Sequence, residues 1–291
     1  NVILPEQLYE KTIEVNERIG AHGEIITALN LKSLKKQMEI ARRGGFSSVA
    51  IVCMHGYRYP DHEQKIAALA QEIGFKQIST SHQTSPLMKL IGRGDTTVVD
   101  AYLSPLLRRY IDNMQKELGS VPLYFMQSNG GLANADFFRG KDAILSGPAG
   151  GIVGAVKSAA SSGFDKIISF DMGGTSTDVS HYDGDYERST ETMIAGVRIR
   201  TPMMNIHTIA AGGGSIISYD GSRFRVGPDS AGADPGPCCY RNDGPLTITD
   251  CNLLLGFIKA DYFPKTFGKN ADQPLDIEAV RQKFQTLAAK I

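Results

Sequence analysis

The residues best suited to chemistry lie in one short segment, 169–180 (SFDMGGTSTDVS). Gly173 and Gly174 predict a tight turn, and because no Cβ stands in the way, backbone N–H groups there can approach phosphate oxygens closely. Hydroxyl-bearing residues follow directly and complete the predicted binding set: Thr175, Ser176 and Thr177. The pattern therefore predicts a phosphate-binding loop.

Two carboxylates flank this turn, Asp171 before it and Asp178 after it. Magnesium prefers one or two carboxylates together with water and phosphate oxygens, so both are predicted to hold Mg²⁺ directly or through water. Asp171 is also the candidate catalytic residue, since it can orient an attacking group. An ordinary β-hairpin with a Gly-Gly turn is the alternative. It accounts for the glycines but not for two aspartates and two threonines at one turn.

The elements that must position these groups are a strand over 166–171 and a returning strand that continues to residue 180. Before them, 149–161 predicts a helix whose small residues recur every four positions and form a smooth face for a second helix. Upstream, helices and strands alternate at 31–43, 48–54, 62–73 and 76–79. Such alternation is typical of α/β architecture.

The remaining sequence predicts further elements. They are a hairpin over 12–18 and 24–28, a helix over 96–118, a strand over 121–126 and a final helix over 276–290. Pro105 is expected to kink or split the long helix. A soft boundary is predicted near residues 85–95, and 227–239, with three prolines and three glycines, predicts an irregular ordered loop.

Composition excludes several classes of protein. Hydrophobic residues make up 42% and charged residues 21%, typical of a folded chain. Lysine plus arginine equals aspartate plus glutamate at 31 each, so net charge gives no support for a nucleic-acid or membrane-surface partner. No apolar run approaches the roughly 18–20 residues that span a bilayer. Four cysteines without a Cys-x-x-Cys pair predict free thiols in a reducing cytoplasm.

Other groups are weaker candidates. Gly212, Gly213 and Gly214 are predicted to let the backbone approach a bound nucleotide or substrate, with a tight turn as the alternative. A metal role for His55 and His62 competes with Asp61 acting simply as a helix N-cap. Three further side chains have either a role in the site or a local hydrogen bond in a turn or loop: Asn129, Asp229 and Asp234.

The 169–180 segment resembles the phosphate loop of the actin, sugar-kinase and heat-shock ATPase superfamily. That resemblance implies a ribonuclease-H-like fold of two similar halves with ATP between them, each half supplying one Asp-x-Gly-Gly-type hairpin. The segment 146–155 (SGPAGGIVGA) is similar to the helix that connects the halves. The order of further motifs is similar to that of the hydantoinase/oxoprolinase family. Those motifs are 55–63 (HGYRYPDHE), 96–102 (TTVVDAY), 126–132 (MQSNGGL), 145–151 (LSGPAGG), 211–216 (AGGGSI), 226–237 (VGPDSAGADPGP) and 249–256 (TDCNLLLG).

The family resemblance implies ATP- and Mg²⁺-dependent opening of a cyclic amide, such as 5-oxoproline, a hydantoin or a lactam. It also implies a second, hydantoinase B-type subunit or domain and an oligomeric assembly. Three alternatives remain: an ATP-dependent ketone carboxylase subunit, a nucleotide-dependent switch, and a sugar-kinase-like phosphotransferase. Stimulation of ATP hydrolysis by a cyclic amide would distinguish a cyclic-amide-opening enzyme from a nucleotide-dependent switch.

The chain departs from the family pattern in several respects, which include His-Gly-Tyr at 55–57, Gly-Arg-Gly-Asp at 92–95 and a missing C-terminal helix. The main departure concerns the phosphate loops. The chain contains a single Asp-x-Gly-Gly-Thr loop, whereas the family has another near its N-terminus, and the chain begins with Asn1 rather than methionine. We therefore expect a piece of a longer protein. Residues 1–92 are predicted to belong to the first half and 93–291 to the second, and the isolated chain is predicted to be catalytically inactive.

Overall fold

A computed structural model of the protein describes residues 7–291. The chain forms two compact units. The first comprises Asn1–Lys157 with Asp185–Asn205, and the second comprises Ser158–Gly184 with Ile206–Ile291. The predicted division at residues 92 and 93, between two halves of a larger fold, concerns a different level of organisation and stays a prediction.

The first unit opens with a short antiparallel hairpin, β1 (Arg18–Ile19) and β2 (Ile25–Thr27). Two helices and two strands follow: α1 (Leu31–Arg43), β3 (Ser48–Ile51), α2 (Asp61–Ile73) and β4 (Gln77–Thr80). Helix α1 has the predicted bounds, α2 begins one residue earlier than predicted, and β3 pairs with β4 in parallel. Apolar residues at helical spacing bury one face of each helix against the strands: Leu34, Met38, Ala41, Ile66, Leu69 and Ala70.

A helix begins within the segment 85–95, where a soft boundary is predicted, and the boundary itself stays a prediction. After α3 (Ser81–Thr84), helix α4 (Leu90–Leu118) begins six residues before the predicted start and is not split at Pro105. Arg93, Thr96 and Thr97 are fully buried, and both threonine hydroxyls donate to backbone carbonyls one turn earlier. These polar residues are therefore part of the interior.

The rest of the first unit contains short elements. They are β5 (Tyr124–Met126), β6 (Leu132–Asn134), α5 (Gly140–Ala143), the first part of α6 (Ser146–Ser161), and, after the hairpin of the second unit, β9 (Arg188–Ser189), β10 (Thr192–Ile194), β11 (Val197–Ile199) and β12 (Met203–Met204). Helix α6 starts three residues before its predicted start. Its buried residues are Ala149, Ile152 and Val156, whereas Gly147 and Gly154 lie on its exposed side.

The second unit is built around a three-stranded antiparallel sheet in the order β13-β8-β7. Its elements are β7 (Lys166–Met172), β8 (Thr177–Asp183), β13 (His207–Ile209), β14 (Ser215–Tyr219), β15 (Phe224–Ser230), α7 (Ile248–Leu254) and α8 (Ile277–Ala288). Since β15 runs through Ser230, only the remainder of the predicted 227–239 loop is irregular. Six buried residues form a hydrophobic core to which α7 and α8 each contribute one: Cys238, Cys239, Leu246, Leu253, Leu275 and Val280.

All four cysteines are free thiols, as predicted. Burial raises the pKa of the Cys53 and Cys239 thiols far above the ordinary value, so both side chains act as small apolar core residues. Within residues 7–291, no helix is long and apolar enough to cross a membrane. The alternation of helices and strands confirms the predicted mixed α/β class.

Candidate phosphate-binding site

The predicted phosphate loop forms the tip of the β7–β8 hairpin. Asp171 lies directly opposite Asp178 in the register, and Met172 lies opposite Thr177. The Gly173 N–H donates to the Ser176 carbonyl at 2.9 Å and closes the turn. Opposed residues of an antiparallel pair point to the same face with Cβ atoms roughly 5 Å apart, and like charges there repel. The hairpin therefore places two carboxylates side by side, an arrangement that a cation would stabilise.

The turn also presents unused donors. The backbone N–H groups of Gly174, Thr175 and Ser176 donate to no acceptor within the described part of the chain. Asp171 and the residues through Thr175 are exposed, and the Asp171 carboxylate has no partner among residues 7–291. Successive backbone N–H groups in a turn make a concave site for an anion. The two adjacent carboxylates can bind magnesium, and the free amides can donate hydrogen bonds to phosphate oxygens. The turn therefore fits a magnesium-bound phosphate.

Thr177 has a different local role from the other hydroxyl residues. It is buried, and its Oγ1 donates to the Ala211 carbonyl at 2.6 Å. This bond ties the start of β8 to the chain just before the glycine triplet. The proposed contact of its hydroxyl with a cofactor stays a prediction, but the structure already commits that hydroxyl to the protein.

The glycine triplet packs against the phosphate-loop turn. The Gly213 N–H donates to the Gly173 carbonyl at 2.9 Å, and the Gly214 N–H donates to the Gly174 carbonyl at 2.6 Å. A Cβ on Gly212 would lie 2.7 Å from the carbonyl oxygens of Gly173 and Gly174. The Gly212 N–H donates to the Ser215 hydroxyl. All three amides are therefore used inside the protein, and the triplet supports the turn from behind.

Two residues that the sequence did not single out as site residues lie behind this triplet in the first turn of α7, one bonded to the triplet and one fixing the start of the helix. Thr249, in the first turn of α7, donates both its backbone N–H and its hydroxyl to the Gly213 carbonyl, at 2.8 and 2.9 Å. The fully buried Asp250 accepts hydrogen bonds from the N–H groups of Thr247, Cys238 and Cys239. The signal that could have found them is the capping box, in which Thr247 precedes Asp250 by three residues.

The weaker candidates are engaged locally. His62 Nδ1 lies 2.6 Å from Glu17 Oε2, and His55 Nδ1 lies 2.7 Å from the Ile19 carbonyl. Within the described residues, no group of three or more His, Cys, Asp or Glu side chains could hold a metal ion. Asp61 is the first residue of α2 rather than its N-cap, which is Pro60. The proposed N-cap was therefore wrong.

The loop candidates also bond within the chain. Asn129 Oδ1 accepts from the Gly131 N–H at 2.7 Å, which is the turn alternative. Asp234 Oδ1 accepts from the Asn242 side chain at 2.7 Å. Asp229 is exposed on β15. None of these contacts brings the three residues to the β7–β8 turn.

A second carboxylate cluster, in the first unit, was missed by sequence reasoning. Glu63 is fully buried. Its Oε1 accepts from the Cys53 N–H and the Ser81 hydroxyl, and its Oε2 accepts from the His82 N–H and lies 2.7 Å from His82 Nδ1. The buried Arg93 donates to the same serine hydroxyl at 2.8 Å and supplies the compensating charge.

Comparison with known proteins places the chain in a family. The model of the family "Hydantoinase/oxoprolinase" matches residues 93–291, and that of the "Hydantoinase/oxoprolinase N-terminal region" matches residues 1–74. The first match alone covers more than half of the chain. The chain belongs to the hydantoinase/oxoprolinase family, as the order of its motifs predicted.

Three relatives illustrate the family. The chain is 46% identical to 5-oxoprolinase 1 of Arabidopsis thaliana over all of its own length but only 25% of that protein. It is 36% identical to caprolactamase subunit alpha of Pseudomonas jessenii, covering 93% of this chain and 40% of the relative. The crystal structure of that ATP-dependent caprolactamase superposes with a TM-score of 0.72 at 33% identity, covering 94% of this chain and 40% of the other.

A nucleotide-free structure of acetone carboxylase, from work on ATP-dependent acetone carboxylation, is the third. It superposes with a TM-score of 0.74 at 25% identity, over 95% of this chain and 40% of that chain. The chain thus spans a quarter to two-fifths of these relatives.

Proposed function

We propose that this chain is the phosphate-binding part of an ATP-dependent enzyme that opens a cyclic amide. The observation that carries the proposal is the β7–β8 tip, where three unpaired backbone amides lie beside two opposed carboxylates. The names of the relatives, which include a 5-oxoprolinase and an ATP-dependent caprolactamase, support this chemistry. On their support, we propose that the substrate is 5-oxoproline, a hydantoin or a lactam.

We assign the residues of the site three roles: binding of phosphate and metal, positioning of the attacking group, and support of the turn. Gly174, Thr175 and Ser176 donate backbone N–H groups to phosphate oxygens, while Asp171 and Asp178 hold Mg²⁺ directly or through water. Asp171 also orients the attacking group. Gly212, Gly213 and Gly214 hold the turn in place beneath the bound nucleotide. When bound, magnesium ATP supplies the phosphoryl group that activates an otherwise inert amide, a reaction that depends on positioning and charge stabilisation.

The proposal extends to the whole protein. A fold of two actin-like halves, with residues 1–92 and 93–291 divided between them, would place a second phosphate loop opposite the one described here. The name "subunit alpha" of the caprolactamase relative supports a partner subunit, which we propose is of the hydantoinase B type. We propose a cytoplasmic oligomer, and we expect the isolated chain to lack turnover.

Ketone carboxylation is the second candidate function. The TM-score of 0.74 with acetone carboxylase favours it. The two candidates share ATP and the phosphate loop but differ in the acceptor of the phosphoryl group. Stimulation of ATP hydrolysis by 5-oxoproline or caprolactam supports amide opening, whereas stimulation only by acetone with bicarbonate supports carboxylation.

Calorimetric titration with Mg-ADP and Mg-ATP tests the binding step. Wild-type chain and Asp171→Ala are compared, with Asp165→Ala as the matched control, because Asp165 is an exposed aspartate just before β7. Binding that only Asp171→Ala abolishes supports the proposal. If the chain does not bind, the same titration on the full-length protein decides, and lack of binding there contradicts it.

A further inference from the structure

We propose that Thr208 is a positioning residue that orients Asp178 for metal binding. The inference rests on the proposed function and assigns a role to a residue outside the glycine loops. Thr208 Oγ1 donates to Asp178 Oδ1 at 2.7 Å. The bond joins two strands of the sheet at the level of the phosphate loop.

The sheet register explains why these two side chains meet. Strand β8 is central, so Asp178 has a neighbour on each side: Asp171 on β7 and Thr208 on β13. All three are directly opposed and therefore share one face of the sheet. From β13 to β7, the row therefore consists of one hydroxyl followed by two carboxylates.

A hydrogen bond on one side of Asp178 has a chemical consequence on the other. A carboxylate rotates about its Cβ–Cγ bond unless something fixes it, and the Thr208 hydroxyl engages Oδ1. Among residues 7–291, Oδ2 has no protein donor. The bond therefore holds Asp178 in one rotamer with one oxygen free, as hydrogen bonds to ligating carboxylates do around bound metals.

Exposure separates this role from a contribution to stability. Thr208 is exposed and Asp178 is only half-buried. A hydrogen bond in contact with water exchanges readily for bonds to solvent and contributes little to folding. Loss of the hydroxyl is expected to weaken metal binding and to leave the fold intact.

The test measures how much Mg²⁺ is needed for ADP to bind. Thr208→Val removes the hydroxyl at nearly constant shape, Thr208→Ser keeps it, and Thr208→Ala replaces the valine variant should that one fail to fold. Thr192→Val, in strand β10, is the control. The titration uses whichever form of the protein, chain or full length, binds Mg-ADP as wild type.

We expect Thr208→Val to raise the half-saturating Mg²⁺ concentration by about 10-fold or more, the usual effect of losing a partner of a metal ligand. Thr208→Ser should stay within about twofold of wild type, and the melting temperature of Thr208→Val without nucleotide should be unchanged. Wild-type Mg²⁺ dependence in Thr208→Val, or an equal defect in Thr208→Ser, overturns this inference alone. Failure of every wild-type form to bind Mg-ADP overturns the proposed function with it.

Discussion

Glu63 in the first unit and Asp171 in the second carry the same charge in opposite surroundings. Glu63 is fully buried, and both of its oxygens accept hydrogen bonds from the protein. Asp171 is exposed, without a partner among the described residues, and opposite a second aspartate. A buried carboxylate needs such partners to offset lost hydration, whereas an exposed pair of like charges is tolerated where a ligand will compensate it.

The comparison teaches how to separate structure from function in this chain. The Glu63 cluster contains histidine, arginine and serine and so has the composition of an active site, but its donors and acceptors satisfy one another. The β7–β8 tip has fewer functional groups and, among residues 7–291, leaves three amides and the Asp171 carboxylate without a partner. Unmet bonding capacity, rather than the number of polar residues, points to the ligand site.

Replacing Glu63 should have the largest effect. Glu63→Ala leaves the buried Arg93 without its compensating charge and three donors without an acceptor, which costs about 3–5 kcal/mol. Urea unfolding monitored by circular dichroism measures the loss. Glu72→Ala removes an exposed ion pair with Lys35 and should cost less than about 1 kcal/mol. Equal losses in the two variants would contradict the structural role of the cluster.

Replacing Asp171 should invert that result. Asp171→Asn removes one of two opposed charges, so the free energy of unfolding should stay within about 0.5 kcal/mol of wild type or rise. Nucleotide-dependent activity of the full-length protein should fall about 100-fold or more, since a charge aimed at the reacting groups is lost. Combined unfolding and ATPase measurements check both parts. A large stability loss with retained activity would reverse the assignment of the two carboxylates.

An added methyl group at Gly212 should affect both properties at once. The Cβ of Gly212→Ala would lie 2.7 Å from backbone atoms of the phosphate-loop turn, and relief of that overlap costs about 1–3 kcal/mol. The displaced turn should also bind nucleotide more weakly. Gly154→Ala is the control, because open space surrounds the added methyl and alanine favours a helix by up to about 1 kcal/mol. Similar melting temperatures for both variants would contradict the close packing of the glycine triplet against the phosphate-loop turn.

Sequence reasoning succeeded where the information is local. Periodicity and glycine stops gave the correct bounds of α1 and the correct end of α2, and the Gly-Gly turn with flanking aspartates predicted the β7–β8 hairpin. It did not predict the burial of Arg93, Thr96 and Thr97, because burial of a polar helix face depends on residues that are distant in sequence. Arg93, for example, donates to the Cys53 carbonyl, 40 residues away. The support from Thr249 to Gly213 was invisible for the same reason. The pairing of Thr208 with Asp178 requires a strand register that spacing does not specify.

A third carboxylate, that of Asp220, tests the effect of hydrogen bonding apart from the effect of burial. We expect its contribution to stability to be the smallest of those considered. Asp220 is exposed like Asp171 but accepts hydrogen bonds from the Arg223 and Ser222 N–H groups and the Arg225 side chain. These bonds, that from the Arg223 backbone first, lower its pKa from 3.8 to about 2. Because the folded-state pKa is the lower one, its stabilising contribution is present above pH 3.8 and is lost as the pH falls through about 2.

Urea midpoints of wild type and Asp220→Asn at pH 5 and pH 2 measure this contribution. The variant should be slightly less stable at pH 5, and the difference should shrink at pH 2, where the wild-type carboxyl begins to take up its proton. Asp165→Asn is the control, because Asp165 is an exposed aspartate without such partners among residues 7–291. If the stability difference between wild type and Asp220→Asn were the same at both pH values, hydrogen bonds to an exposed carboxylate would have no measurable effect on stability here. Burial alone would then distinguish Glu63 from Asp171.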